Sequence, residues 1–250
     1  MENLLDVREL SYAYHTLQGE TEVLSKVSFS IREGEFVAIV GPSGCGKSTL
    51  LSLICNLLTP DCGEIFLKPG KKIGYMLQKD HLLEWRTTGK NIALGPEIAH
   101  KLSPGIYHQI KKMLASYGLE GFQDAKPGQL SGGMRQRAAL IRTLMLSPDL
   151  LLLDEPFSAL DYQTRLEVSD DIWKIIQKEH KTALLITHDI AEAISMADRI
   201  IILSARPSSV SCEIPIHLSC EGERTPFRAR SAPEFQDYFQ KIWKELNGHE

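Results

Sequence analysis

The chain has 250 residues, 43% of them hydrophobic and 24% charged, and a formal net charge of −4. That composition supports a real core in one domain or two closely packed lobes, and its acidic balance argues against a nucleic-acid partner. Five cysteines, an odd number without a C-x-x-C pair, argue against a disulfide framework or a structural zinc site and favour reduced thiols in a cytosolic protein.

The opening MENLLDVREL lacks the basic and apolar regions of a signal peptide. Apolar runs such as Phe36–Val40, Leu150–Leu153 and Ile200–Leu203 are too short to cross a bilayer. The expectation is a soluble chain whose membrane role, if any, comes through a partner. In chain order, Val7–Tyr12, Val27–Ile31 and Glu64–Leu67 alternate in polarity and predict a separate antiparallel layer. Phe36–Val40, Ile73–Leu77, Leu150–Leu153, Ala183–Thr187 and Arg199–Leu203 are almost wholly apolar, as strands of a parallel α/β sheet covered on both faces are.

Directly after Phe36–Val40 comes Gly41-Pro42-Ser43-Gly44-Cys45-Gly46-Lys47-Ser48-Thr49. It matches G-x-x-x-x-G-K-[ST], set between a strand and the helical pattern Thr49–Leu58, the context that identifies a phosphate-binding loop. The glycines let successive N–H groups turn inward, and the helix N-terminus adds positive potential. Lys47 suits the β- and γ-phosphates of ATP, and the Ser48 hydroxyl suits Mg²⁺. Cys45 contributes backbone.

Between about Asp80 and Gln129 no strand is evident, while Ile106, Ile110, Met113, Leu114 and Tyr117 recur at helical spacing. This predicts a helical insertion. Leu130-Ser131-Gly132-Gly133-Met134-Arg135-Gln136-Arg137 then feeds a helical run to Leu146, a second loop able to hold an anion at a helix N-terminus. The strand Leu150–Leu153 ends in Asp154 and Glu155. Neighbours on a strand face opposite ways, so the two acids take different tasks: Asp154 for the metal, Glu155 to polarise the attacking water as general base. From about Ala205 the chain is rich in Ser, Pro and Glu, and Phe235, Tyr238, Phe239, Ile242 and Leu246 predict a docked helix over 233–246.

Two phosphate loops in one chain either face one nucleotide or serve different copies of the protein. With LSGGM at 130–134, the chain resembles the ATPase subunits of ATP-binding cassette (ABC) transporters, whose signature reads LSGGQ; Met134 stands where many carry Gln. The resemblance runs from about Leu5 to Arg206 with its motifs in family order. It implies a P-loop NTPase of α/β class: a RecA-like parallel-sheet core, an antiparallel β layer and an inserted helical subdomain. The implied division is an ATPase domain over 1–225, with core 1–79 and 133–225 and helical subdomain 80–132, followed by a helical tail over 226–250.

The resemblance also assigns roles. Tyr14 matches the aromatic that stacks on adenine, with Tyr12 a close competitor. Gln78 matches the glutamine that contacts Mg²⁺ and water and senses the membrane partner. Ser158-Ala159-Leu160-Asp161 matches the loop that crosses between subunits, and His188 the histidine that contacts the γ-phosphate. Two copies are then expected to meet head to tail, with Ser131–Gly133 of one closing over ATP on Gly41–Thr49 of the other.

Gln78–Gly95 resembles the corresponding region of nitrate/sulfonate/taurine importers, with Glu84 where Pro is usual and Gly89-Lys90 a looser helix start; IIILSARP and Pro233-Glu-Phe resemble that group's ending. This implies a separate membrane permease docked along Leu82–Asn91, a solute-binding protein acting indirectly, and a place on the cytoplasmic face of the membrane. Trp85 serves this cleft or plain packing. The tail is too short for the regulatory β-domain of sugar-importer ATPases. An exporter subunit and a non-transport ABC ATPase are the alternatives, the latter disfavoured by the single cassette, the acidic balance and the absence of a long coiled coil.

Overall fold

The elements, in a computed structural model describing residues 3–16 and 19–248, begin with β1 (Asn3–Thr16), β2 (Gly19–Arg32), β3 (Phe36–Val40), α1 (Lys47–Ile54), β4 (Cys62–Leu67) and β5 (Ile73–Met76). Helices α2 (Thr88–Ile92), α3 (Leu94–Ile98), α4 (Pro104–Ser116) and α5 (Gly132–Leu144) follow. Then come β6 (Leu150–Asp154), α6 (Tyr162–Lys178), β7 (Thr182–Ile186), α7 (Ile190–Met196), β8 (Arg199–Leu203), β9 (Val210–Pro215), α8 (Pro226–Ala229) and α9 (Phe235–Asn247). The outermost residues of the expected 1–225 and 226–250 spans lie outside the described residues.

Two sheets form. The alternating segments pair as an antiparallel sheet ordered β2-β1-β4, and the apolar ones as a six-stranded sheet ordered β5-β6-β7-β3-β8-β9. Its first five strands are parallel, and β9 runs antiparallel to β8. The reason for the unbroken apolar runs is visible in β3. Phe36, Ala38 and Val40 enter a core shared with α5, α6 and α7, while Val37 and Ile39 enter a core against α1 and the antiparallel sheet. Strand β6 does the same, with Leu151 and Leu153 on one side and Leu150 and Leu152 on the other. Each fully buried Leu or Ile in such a strand contributes about 2–5 kcal/mol against truncation to Ala.

Among the described residues no strand falls between Met76 and Leu150, as expected of the helical insertion. Two of its helices, α2 and α4, are capped by hydroxyls: Thr87 Oγ1 accepts from the Lys90 N–H and Ser103 Oγ from the Ile106 N–H. Helix α9 docks through fully buried Ile242, with Phe235, Tyr238, Phe239 and Leu246 packed on the core, the stripe expected of it. Three differences stand out. The strand expected over Ile73–Leu77 stops at Met76, and the helix after the phosphate loop starts at Lys47 and ends at Ile54. Strand β9 has no counterpart in the periodicity reading, because an edge strand with buried Ile214 and otherwise more exposed residues lacks an apolar run.

Topology sets the site. Adjacent strands β5, β6, β7 and β3 end at the same edge, Met76 opposite Leu153, Asp154 opposite Ile186, and Ile39 opposite Ile186. The residues that follow these strands therefore gather where parallel α/β sheets bind ligands.

Candidate functional site at the carboxyl edge of the sheet

The loop after β3 turns sharply into α1. Gly46 has φ +107°, and a Cβ there would stand 2.5 Å from Val23 Cγ1, so only glycine fits both the conformation and the space. Lys47 is buried, its Nζ donating to the carbonyls of Gly41 at 2.8 Å and Pro42 at 2.9 Å, which poises the ammonium over its own loop. Outside the loop, Arg206 Nη2 donates to Gly44 O at 2.6 Å, and the buried Ser208 hydroxyl donates to Cys45 O and, at 3.1 Å, to Val23 O. These bonds fix the carbonyls of Gly44 and Cys45 from outside the loop, and the Cys45 N–H closes a turn onto Pro42 O at 3.3 Å.

Next to this loop, Ser48 Oγ donates to Asp154 Oδ1 at 3.2 Å and the Tyr75 hydroxyl to Asp154 Oδ2 at 3.1 Å. Burial, the largest influence, raises the Asp154 pKa, while the bonds from Ser48 and Tyr75 oppose the rise. A hydroxyl and a desolvated carboxylate in contact are the oxygen donors a hard divalent cation takes, with water and phosphate completing its shell. Ser48 and Asp154 thus fit Mg²⁺.

Glu155 lies beyond the strand, not on it. Its φ of +43° is left-handed, a strained state for a non-glycine residue, and its N–H donates to Ile186 O at 2.8 Å. This turn, rather than strand alternation, separates it from Asp154. Its Oε2 accepts from Gln78 Nε2 at 3.3 Å and stands 3.1 Å from His188 Nδ1. Gln78 Nε2 also reaches Ser158 Oγ at 3.4 Å. Three residues that follow three different strands, expected to act on one water and one phosphate, are thereby joined.

Tyr14 is exposed and its hydroxyl lies 3.2 Å from Thr49 Oγ1, while Tyr12 packs against it edge-on at 5.1 Å and sits at the core rim. Of the two tyrosines, Tyr14 is the one bonded to the loop. Ser131 caps α5, its Oγ accepting from the Met134 N–H at 3.4 Å. A Cβ on Gly133 would stand 2.7 Å from Val168 Cγ2, and one on Gly132 2.9 Å from Leu160 Cδ2; this loop packs on α6. Among the described residues no hydrogen bond joins Ser131–Gly133 to Gly41–Thr49. Asp161 caps α6, its Oδ1 accepting from the Thr164 N–H at 3.0 Å.

Sequence reasoning passed over Tyr75, Arg206 and Ser208. Tyr75 reaches the site through register, level with Leu152 two positions before Asp154; Arg206 lies in the segment IIILSARP and Ser208 just after it, where no pattern pointed to the phosphate loop. A cavity of about 440 Å³ opens beside Gly41–Ser43, walled by His188, Ser204 and Trp243 of α9.

Comparison with known proteins places the chain in a family. The family model described as ABC transporter matches residues 24–158. An uncharacterized ABC transporter ATP-binding protein of Bacillus subtilis, YtlC, is 42% identical over 99% of this chain and 97% of its own length. The aliphatic sulfonates import ATP-binding protein SsuB of Bacillus cereus is 35% identical over 97% and 95%. Among solved structures, a dimeric ATP-binding cassette in a post-hydrolysis state with ADP and Pi bound aligns with TM-score 0.71 and 31% identity, covering 85% of this chain and 99% of that one.

Proposed function

This chain belongs to the ATP-binding subunits of ABC transporters, and from that premise we propose that it drives an importer of a small sulfonate-type or related anion. It is an ATPase, and two copies close head to tail on ATP at the cytoplasmic face of the membrane, each pair serving a separate permease fed by a solute-binding protein. The observation that carries the hydrolytic part is the joining of Gln78, His188 and Glu155 around one carboxylate oxygen. The import direction and anion class rest on likeness to proteins named for aliphatic sulfonate import.

In this reading the Gly41–Thr49 loop receives the ATP phosphates and Lys47 moves its ammonium from the loop carbonyls onto them. Tyr14 covers the base. Ser48 and Asp154, with Gln78 beside them, would hold Mg²⁺, which would supply positive charge against the ATP phosphates. Glu155 accepts a proton from the attacking water, oriented by Gln78, and His188 donates toward the γ-phosphate. Ser131, Gly132 and Gly133 of the second copy close the site, and Asp161 lies at the crossing between copies. Because ATP contacts both chains, its hydrolysis removes the link and opens the pair.

The assigned division is a core over 1–79 and 133–225, a helical subdomain over 80–132 and a tail from 226. The subdomain takes the permease. Trp85 is 75% exposed, beside a cavity lined by Arg86, Lys90, Glu97 and Tyr107, and a large exposed aromatic of this kind suits a partner helix. No described helix is long and apolar enough to cross a membrane. Uptake of labelled alkanesulfonates, nitrate and taurine by vesicles containing the co-encoded permease and binding protein tests the assignment. Sulfonate uptake that stops with Glu155→Gln supports it; efflux, or uptake of none of these anions, overturns it. Crosslinks from Leu82–Asn91 to the permease are expected, and their absence in an assembled complex contradicts the docking surface.

A further inference from the structure

Only Thr187, His188 and Asp189 separate β7 from α7, so the position of His188 depends on what anchors its two neighbours. Both are anchored from beneath. The Thr187 hydroxyl, 1% exposed, donates to Glu192 Oε2 and accepts from the Asp189 N–H at 3.0 Å. Asp189 Oδ1 accepts from the Glu192 N–H at 3.1 Å, and its Oδ2 pairs with Arg165 Nη1 at 3.2 Å. Arg165 Nη2 in turn donates to Leu160 O at 3.2 Å, which ties the turn to the loop Ser158–Asp161.

Glu192 is the anomaly in this arrangement. It is 4% exposed and its Oε1 has no hydrogen-bond partner. Such a group costs free energy that helix formation does not recover, since Asp189 already caps α7. Its carboxyl faces Thr187 and Asp189 on its own turn, Arg165 from α6 and Arg230 from beyond α8. Burial raises its pKa to about 7, with Asp189 adding to the rise and Thr187, Arg165 and Arg230 opposing it. The one bonded oxygen of this buried acid accepts from the residue directly before His188.

We propose that Glu192 is a positioning residue for ATP hydrolysis, holding His188 against Glu155 through the Thr187 hydroxyl. This rests on the reading of His188 as a participant in hydrolysis. Ionised Glu192 accepts strongly from Thr187, which locks the turn; protonation weakens that bond and loosens the histidine.

Thr187→Val removes the hydroxyl and keeps the shape, so it is the main test, with Glu192→Ala, Glu192→Gln and His188→Ala assayed beside it in the full chain. Expected is a loss of about tenfold or more in kcat for Thr187→Val and Glu192→Ala, with KM for ATP little changed. Glu192→Gln offers Thr187 a neutral acceptor, as the protonated acid does, so its kcat stays at the reduced level that wild type reaches at low pH and shows none of the wild-type pH dependence near neutrality. Thr187→Val added to His188→Ala brings no further loss, because both act through the same group. If His188→Ala is inactive while Thr187→Val, folded by thermal melt, turns over at the wild-type rate, the proposal is overturned and the reading of His188 stands. If His188→Ala keeps full turnover, that reading falls and the proposal with it. Should Glu192→Ala fail to fold, Thr187→Val and Glu192→Gln decide the matter alone.

Discussion

Oε2 of Glu155 lies 3.1 Å from Nδ1 of His188, although the two residues follow different strands and stand 33 positions apart in the chain. The contact exists because β6 and β7 are parallel neighbours, Asp154 level with Ile186. The left-handed turn at Glu155, tied to Ile186 O, then aims its carboxylate at the loop after β7. A carboxylate so placed, whose Oε2 also accepts from Gln78, is suited to take a proton from a water bound beside it.

Replacing that carboxylate by its amide separates binding from chemistry. Glu155→Gln keeps the size of the side chain and its ability to hydrogen-bond Gln78 and His188, but it is no base. Nucleotide affinity is expected to stay within a few-fold while phosphate release falls by about 10²–10⁴-fold. Sustained turnover in a phosphate-release assay contradicts the role.

Lys47 contributes to binding instead. Its ammonium is already buried and oriented by Gly41 and Pro42, and a charged hydrogen bond to phosphate is worth about 1.5–3 kcal/mol. Lys47→Ala should therefore weaken ATP binding by about 10–100-fold in equilibrium titration with a fluorescent ATP analogue. Unchanged affinity contradicts the assignment of the loop.

Ser131→Arg distinguishes a composite site from a self-sufficient one. Losing the Ser131 cap on α5 costs about 1 kcal/mol, too little to unfold a domain of this size. The variant should bind ATP as a monomer with normal affinity yet fail to hydrolyse it. Normal hydrolysis counts against closure by a second copy.

Glu192 has a signature in stability as well as in rate. Its folded pKa of about 7 lies above its ordinary 4.5, so the folded state holds this proton more tightly than the unfolded chain does. Its stabilising contribution is complete below pH 4.5, falls as pH rises toward 7, and leaves a cost of roughly 3 kcal/mol above that. Glu192→Gln has no such titration. Its stability relative to wild type, from urea unfolding at a series of pH values, should rise across that window. A difference independent of pH contradicts the buried ionisation.

Most of this architecture was legible because its strongest signals are local. Phe36–Val40 and Leu150–Leu153 advertise strands buried on both faces, and the spacing from Gly41 to Ser48 carries its chemistry in adjacent residues. Resemblance supplied Gln78, His188 and Ser131, whose meaning depends on partners far off in the chain. What sequence left hidden was geometry between elements. Glu155 was read as a strand residue because alternation says nothing of a left-handed turn. Tyr75, Arg206 and Ser208 reach the site only once β5 lies beside β6 and the segment after β8 lies behind the phosphate loop. Strand β9 is held by pairing with β8, not by a pattern of its own.

The central claim is that ATP joins two copies of this chain through Gly41–Thr49 of one and Ser131–Gly133 of the other. Sedimentation velocity of Glu155→Gln with and without ATP tests it most directly. The account predicts a monomer without nucleotide and a dimer holding two ATP with it, the dimer disappearing when Ser131→Arg is added. A Glu155→Gln protein that stays monomeric at saturating ATP and micromolar chain concentration contradicts it.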